Sequence, residues 1–202
     1  MWIIMTTPEE AVRKYLKGIG AIPKEDPERF ADLEQEREGV FRHMIETFVN
    51  DLHRYGFVTR VWGYYKAFHV GVDFYDPDLE VLLAEKGAVY DHAKAEQYAS
   101  IQTRGSVFFR FINDALTVEG DIPVAMLRPI HPSDEFWRET IKEEKPTDIT
   151  EVHLHMWDHK PAVHIHIEGR NVDPRKLARF IAKINNISKR FITEGKIGRE
   201  VI

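Results

Sequence analysis

Apolar side chains recur at helical spacing in two long stretches of the chain. The first follows Asp26-Pro27 and ends near Gly56, and the second follows Asp173-Pro174. An Asp-Pro pair is typical of a helix start, because Asp caps the first turn and Pro suits its first position. The pattern therefore predicts a long N-terminal helix and a C-terminal helix whose buried stripe is Leu177, Phe180, Ile181, Ile184, Ile187 and Phe191.

Between these helices, apolar and polar residues alternate in short runs that predict β-strands. The predicted strands cover residues 57–62, 67–74, 106–112 and 122–127. Shorter helices are predicted after Asp76, over residues 88–101 and after Ser133. We therefore expect an α+β fold: an antiparallel sheet with helices packed on one face, plus N-terminal helices. Residues 1–55 would be a helical arm or part of the same domain, and residues 56–202 the domain that holds the sheet.

Residues 151–169, EVHLHMWDHKPAVHIHIEG, predict a β-hairpin with two different faces. In each half, apolar residues alternate with histidine or glutamate. A turn of four residues, 158–161, fixes which residues face each other. The resulting pairs are Met156 with Val163, His155 with His164, Leu154 with Ile165, His153 with His166, and Glu151 with Glu168. A slip by one residue would break both the apolar and the histidine matches.

This register predicts a metal site on the polar face of the hairpin. Its ligands would be the four imidazoles of His153, His155, His164 and His166, with the carboxylates of Glu151 and Glu168 behind them. Side chains that face each other across two strands have Cβ atoms about 4.5–5.5 Å apart, which lets imidazoles converge on one ion. The expected cofactor is a divalent ion, Mn, Mg or Zn. Four engaged ligands would make the site structural, and an open position would make it catalytic.

The triplet His164-Ile165-His166, with His153 upstream and Pro161 just before it, resembles the three-histidine motif of the HUH endonucleases, in particular the relaxases. The resemblance covers about fourteen of the 202 residues. It implies an antiparallel sheet whose histidines hold a divalent ion against a DNA phosphate. It also implies a tyrosine that attacks this phosphate and stays attached to the 5′ end of single-stranded DNA.

In relaxases the nucleophilic tyrosine lies upstream of the histidines. The candidates here are Tyr90 and Tyr98, because they lie on one predicted helix and a helix packed across the histidine face would bring a tyrosine to the phosphate. Glu168 is a further catalytic candidate, as a general base. The DNA backbone would meet a basic stripe near the hairpin, formed by Arg170, Arg175, Lys176 and Arg179. A solvated face of an amphipathic helix would carry the same basic residues, so this interpretation stays open.

Composition narrows the function only a little. The net charge of −5 gives no overall basic surface for nucleic acid, and the absence of cysteine excludes disulfides and thiolate ligands. Abundant Glu, Lys and Arg favour a thermophilic source. With no cysteine and no apolar run long enough for a membrane span, we expect a cytoplasmic protein.

The leading hypothesis is therefore a metal-dependent HUH-type endonuclease that nicks single-stranded DNA through a tyrosine. One alternative is another three-histidine metalloenzyme, either a hydrolase or an enzyme that handles oxygen. The other is a binding protein, with no enzymatic activity, that has a structural metal or a histidine-rich interface. The sequence leaves open whether the protein is an enzyme and what its oligomeric state is.

Overall fold

The computed structural model describes residues 27–85, 104–124, 134–156 and 163–194. These ranges form an α+β fold, as the sequence predicted. The elements in chain order are α1 (Pro27–Arg54), β1 (Val58–Tyr64), a short 3₁₀ helix (Tyr65–Ala67), β2 (His69–Tyr75), α2 (Pro77–Glu85), β3 (Arg104–Ile112), β4 (Ala115–Pro123), α3 (Asp134–Glu144), β5 (Ile149–Met156), β6 (Val163–Arg170) and α4 (Pro174–Glu194).

The described strands form one antiparallel sheet with the order β1-β2-β3-β4-β6-β5. Consecutive strands are neighbours along most of this order. The exception is the last hairpin, which joins the sheet through β6 rather than β5. As a result β6, which carries the His-x-His triplet, is an inner strand between β4 and β5.

One face of the sheet is apolar and packs against helices. A single core cluster contains residues from the helices α1, α3 and α4 together with every second residue of the inner strands. The ring of Phe48 on α1, for example, packs edge-on against Phe109 of β3, with centroids 5.0 Å apart. The inner-strand residues in this cluster are Val70, Val72, Phe74, Val107, Phe109, Phe111, Leu116, Val118, Ile122, Ile165 and Ile167. The prediction of helices on one face is therefore confirmed.

The Asp-Pro pairs start helices as the sequence indicated, since α1, α2 and α4 begin at Pro27, Pro77 and Pro174. Asp76 Oδ1 accepts a hydrogen bond from the backbone N–H of Asp78 at 2.9 Å. Asp173 Oδ1 accepts one from the N–H of Arg175, also at 2.9 Å. Each carboxylate thus satisfies N–H groups that the first helical turn leaves without partners.

Contacts between Cα atoms divide the chain into two units, residues 1–40 and residues 41–202. In the first unit the described residues belong to α1, where Arg37 and Glu34 form an ion pair at 2.8 Å. The second unit contains the sheet and the core cluster described above. The helical segment expected over residues 1–55, as an arm or as part of the same domain, stays a prediction.

The strand predicted over residues 122–127 is wrong in position. The structure has β4 at Ala115–Pro123, directly after β3. Asn113 and Asp114 connect the two strands with φ angles of 51° and 59°. Two successive left-handed residues are typical of a tight hairpin turn, and Asn and Asp tolerate this conformation.

The helix predicted over residues 88–101 lies outside the described ranges. Within those ranges, no helix is both long and apolar enough to cross a membrane.

Candidate metal site on the polar face of the sheet

The hairpin β5–β6 has the register that the sequence predicted. Its Cα partners are His153 with His166, Leu154 with Ile165, His155 with His164 and Met156 with Val163, and Glu151 pairs with Glu168. Ile165 and Ile167 are buried in the core cluster, so the residues between them face the other side of the sheet. The pairing of the histidines is therefore confirmed.

The inner position of β6 adds a third strand to this polar face. In one row across β4, β6 and β5, Asp121 pairs with His166 and His166 pairs with His153. In the next row Glu119 pairs with Glu168 and Glu168 pairs with Glu151. Here "the polar site" means these six residues together with His164. It contains four carboxylates, and three of them stand side by side on neighbouring strands.

Asp121 links the two histidines of the triplet. Its Oδ1 lies 3.0 Å from His166 Nδ1 and 3.5 Å from His164 Nε2. When Nδ1–H of His166 donates a hydrogen bond to the Asp121 carboxylate, the lone pair of the neutral ring is on Nε2. Carboxylates commonly orient metal-binding histidines in this way and make them better ligands.

The Nε2 atom of His166 points along β6 towards Glu168, whose Oε1 is 3.6 Å away. Glu119, on the neighbouring strand, completes a group of three residues with His166 and Glu168. One ligand atom from each of the three lies within 4.8 Å of the other two. Ligands that sit about 2.0–2.2 Å from a zinc ion are at most about 4.4 Å apart, so a small rotation of the two exposed carboxylates would close the set.

The predicted four-histidine ligand set therefore differs from the group that the geometry brings together. His153 lies opposite His166, but its Nε2 contacts Glu151 Oε2 at 3.3 Å. His164 contacts Asp121 on the other neighbouring strand. The side chain of His155 is outside the described part of the chain. The role of all four histidines as ligands stays a prediction.

The other predicted site residues are placed as follows. Tyr90 and Tyr98 lie outside the described ranges. Arg170 is exposed on β6 and shares the polar face with the histidines. Arg175, Lys176 and Arg179 are exposed on α4, which packs on the opposite face of the sheet. A DNA strand that touched the polar site would therefore not meet these three side chains on the same face.

Glu119 and Asp121 were missed by the sequence-based prediction because β4 was placed too late in the chain. The signal for them is present in the sequence. In the run Thr117-Val118-Glu119-Gly120-Asp121-Ile122, polar and apolar or small residues alternate as in a half-buried strand. The prediction therefore found the five residues of the polar site that lie on the β5–β6 hairpin and missed the two on β4.

The charges of the polar site favour a bound cation. Like charges that face each other across a strand pair destabilise a sheet, and Glu168 faces a glutamate on both sides. A divalent ion would remove this repulsion and would hold the adjacent imidazole neutral. A site with carboxylate and imidazole ligands fits Mn, Zn or Fe, and a site with mainly carboxylate ligands fits Mg.

A comparison with protein-family models, with curated proteins and with solved structures finds no significant match to this chain. The fold and the polar site therefore define the chain only as an α+β protein with a histidine and carboxylate cluster on one sheet face.

Proposed function

We propose that this protein is a metal-dependent enzyme of the HUH type, which nicks single-stranded DNA with the help of a divalent ion held on its polar site. The observation that carries the proposal is the group of Glu119, His166 and Glu168 on two neighbouring strands. The His-x-His triplet on an inner strand of an antiparallel sheet supports the same assignment. The carboxylate of Asp121 orients His166 in this group.

A bound ion would supply a positive charge that polarises the phosphodiester and stabilises the charge that develops on it. In the proposed reaction the phenolic oxygen of Tyr90 or Tyr98 attacks the phosphorus atom and loses its proton. The bond from phosphorus to the 3′ oxygen breaks, and that oxygen takes up a proton. The products are a free 3′ hydroxyl and a 5′ phosphate joined to the tyrosine. Glu168, if it does not bind the ion, would accept the phenolic proton.

The ligand group also favours a second candidate, a hydrolase in which water is the nucleophile. Two carboxylates and one imidazole leave coordination positions for water and substrate on a divalent ion. Glu151 lies next to Glu168 across the strand pair and would act as the general base. This enzyme would need no tyrosine.

The first experiment measures metal binding by the purified, untagged protein after chelation and titration with Mn²⁺ and Zn²⁺. His166→Ala and Glu119→Gln should weaken binding at least about tenfold. Thr117→Ala, on the same face of β4 as Glu119, should leave it unchanged. His153→Ala separates the two ligand sets, because it removes a ligand from the three-histidine set and none from the group of Glu119, His166 and Glu168.

The second experiment incubates the metal-loaded protein with end-labelled single-stranded DNA. A covalent adduct that disappears in either Tyr90→Phe or Tyr98→Phe supports the HUH-type reaction. Metal-dependent cleavage that survives both substitutions supports the hydrolase instead. If neither ion binds at micromolar concentration, both proposals are wrong. The remaining hypothesis is then that the polar face is a histidine-rich interface.

A further inference from the structure

A pocket of about 420 Å³ lies beside the polar site, at one end of the strands β1, β2 and β3. Its polar lining comes from side chains on the same sheet face as the histidines. These side chains are Arg60, Asp73, Tyr75, Arg104, Ser106 and Asp121. They form adjacent positions in the sheet, since Arg60 pairs with Asp73, Tyr75 with Arg104, and Ser106 with both Asp73 and Asp121.

The pocket and the polar site share one residue, Asp121. Its carboxylate lines the pocket, and the same side chain contacts His166 and His164. Only the side chain of Asp121 would therefore separate a molecule in the pocket from His166, one of the proposed metal ligands. This proximity gives the pocket the position of a subsite beside the reacting bond.

The two arginines of the pocket are largely exposed to solvent, although each contacts a carboxylate; Arg104 Nε lies 3.8 Å from Glu80 Oε1. The side chains of Arg60 and Arg104 are 78% and 74% exposed. Arg60 contacts Asp73 at 3.2 Å, but one ion pair uses at most two of the five N–H donors of a guanidinium. The carboxylate of Asp73 is already engaged inside the protein, because its Oδ1 accepts hydrogen bonds from Trp62 and Ser106. The cations thus face solvent, and this acid is held by its neighbours.

The pocket also contains a contact between a cation and an aromatic ring. The guanidinium of Arg104 lies over the ring of Tyr75, with its central carbon 5.1 Å from the ring centroid. Aromatic rings and arginine planes are the groups on which proteins stack the bases of single-stranded nucleic acids. Guanidinium groups also bind phosphate through paired, charge-assisted hydrogen bonds. The pocket thus combines surfaces for a base and for a phosphate.

We propose that this pocket binds one nucleotide of the single-stranded DNA, next to the phosphate that reacts at the polar site. Arg60 and Arg104 hold the nucleotide's phosphate, and its base packs against Tyr75. A volume of about 420 Å³ lies at the small end of ligand pockets, which suits a single nucleotide. The inference rests on the proposed function for the identity of the polymer, but the binding of one nucleotide does not require the metal.

The test uses the full-length protein in a chelating buffer, with the four deoxynucleoside 5′-monophosphates as probes in ligand-observed NMR titrations. We expect saturable binding in the millimolar range, which is usual for one nucleotide removed from a polymer. Arg60→Gln and Arg104→Gln should each weaken binding about tenfold, as expected for the loss of a charge-assisted contact. Tyr75→Leu should weaken it by a similar factor, and Tyr75→Phe, which keeps the ring, should bind within about twofold of the wild type.

Arg110→Gln is the matched control, because Arg110 is an exposed arginine on the same face of β3 but does not line the pocket. It should bind the monophosphates like the wild type. Melting temperatures of all variants confirm that they are folded before the affinities are compared.

Three results would overturn the inference. One is an affinity for deoxynucleosides equal to that for their monophosphates, since the arginines would then hold no phosphate. Another is an affinity for inorganic phosphate equal to that for the monophosphates, since the pocket would then be an anion site without a base. The third is the same loss of binding in Arg110→Gln as in Arg60→Gln. Nucleotide binding is measured in a chelating buffer and so does not depend on the metal. If the monophosphates bind but the metal-loaded protein cleaves no DNA, the pocket is supported and the proposed function fails.

Discussion

The carboxylate of Asp121 lies between the two histidines of the triplet, with Oδ1 3.0 Å from His166 Nδ1 and 3.5 Å from His164 Nε2. These contacts join β4 to β6 on the polar face, opposite the core. With Nδ1 of His166 in contact with Asp121, its Nε2 is the nitrogen directed towards Glu168, 3.6 Å from Oε1. The geometry of the proposed ligand group therefore depends on a residue that is not itself in the group.

The first prediction concerns this residue. Asp121→Ala should weaken Mn²⁺ or Zn²⁺ binding about tenfold or more, because His166 loses the partner that fixes its orientation and proton position. Asp121→Asn should have a smaller effect, since an amide oxygen still accepts a hydrogen bond from Nδ1–H of His166. Competition with a chromogenic chelator measures both affinities. If Asp121→Ala binds the metal as tightly as the wild type and as the control Thr117→Ala, Asp121 does not orient a ligand.

The register of the β5–β6 hairpin was predictable because three constraints agree. Apolar alternation, histidine alternation and the length of the turn all select the pairing of His153 with His166. A slip by one residue would expose Ile165 and Ile167, which are fully buried. Local sequence is sufficient for this hairpin because the three constraints select one register.

The partners of β6 on its other side were not predictable in the same way. β4 and β6 are separated in the chain by α3 and β5, so no turn length fixes which residues of the two strands face each other. The pairing of Asp121 with His166 results from how the whole sheet packs on its helices. Because the strand was predicted to start at residue 122, Glu119 and Asp121 were not assigned to a strand. The part of the candidate site on the β5–β6 hairpin was therefore predictable, and the part on β4 was not.

The second prediction concerns Gly120, which lies between Glu119 and Asp121. A Cβ atom at this position would be 2.2 Å from the backbone oxygen of Ser106 and 2.6 Å from Val107 Cα. Since both atoms belong to the backbone of β3, the two strands would have to separate. Gly120→Ala should lower the free energy of unfolding by about 2 kcal/mol or more and should weaken metal binding as well. Urea unfolding and metal titration measure the two effects.

Gly39→Ala is the matched control for this substitution. Gly39 is in the interior of α1, and a Cβ atom added to it would meet no neighbour within 4 Å among the described residues. Alanine is favoured over glycine in a helix by about 1 kcal/mol, so this variant should lose no stability. Equal stability of Gly120→Ala and the wild type would mean that β3 and β4 tolerate a wider separation.

The third prediction concerns a buried polar cluster between α2 and α4. Asp76 is 1% exposed, and its Oδ2 contacts Asn185 Nδ2 at 2.5 Å and Lys189 Nζ at 2.6 Å. Asp76→Ala should lower the free energy of unfolding by about 3 kcal/mol, because it removes a helix cap and leaves a partly buried ammonium without this partner. Denaturant unfolding measures the loss.

Asp78 provides the comparison for Asp76, since it is two residues away and 3.8 Å from the same ammonium, with its side chain 87% exposed. Asp78→Ala should cost less than about 1 kcal/mol, as exposed ion pairs and charges in a first helical turn usually do. Equal losses in the two variants would show that burial of Asp76 adds nothing.

The fourth prediction concerns the alkaline limit of stability. Burial raises the pKa of the Tyr65 phenol above its ordinary value of 10.0, against the opposing effect of Arg42, whose guanidinium lies over the ring at 4.0 Å. The folded protein therefore keeps this phenol protonated at a pH where the unfolded chain has begun to lose the proton. By linkage, the free energy of unfolding falls as the pH rises through 10, since the unfolded state then binds fewer protons.

Tyr65→Phe keeps the ring packed against Phe41 and removes the ionisable group. Its free energy of unfolding should therefore fall less steeply than that of the wild type as the pH rises above about 10, while the two proteins differ by a constant amount below about pH 9. Urea unfolding at a series of pH values gives both curves. If the curves run parallel up to the highest pH at which both proteins fold, the phenol of Tyr65 is as easily ionised in the folded protein as in the unfolded chain, and its burial against α1 has no electrostatic consequence.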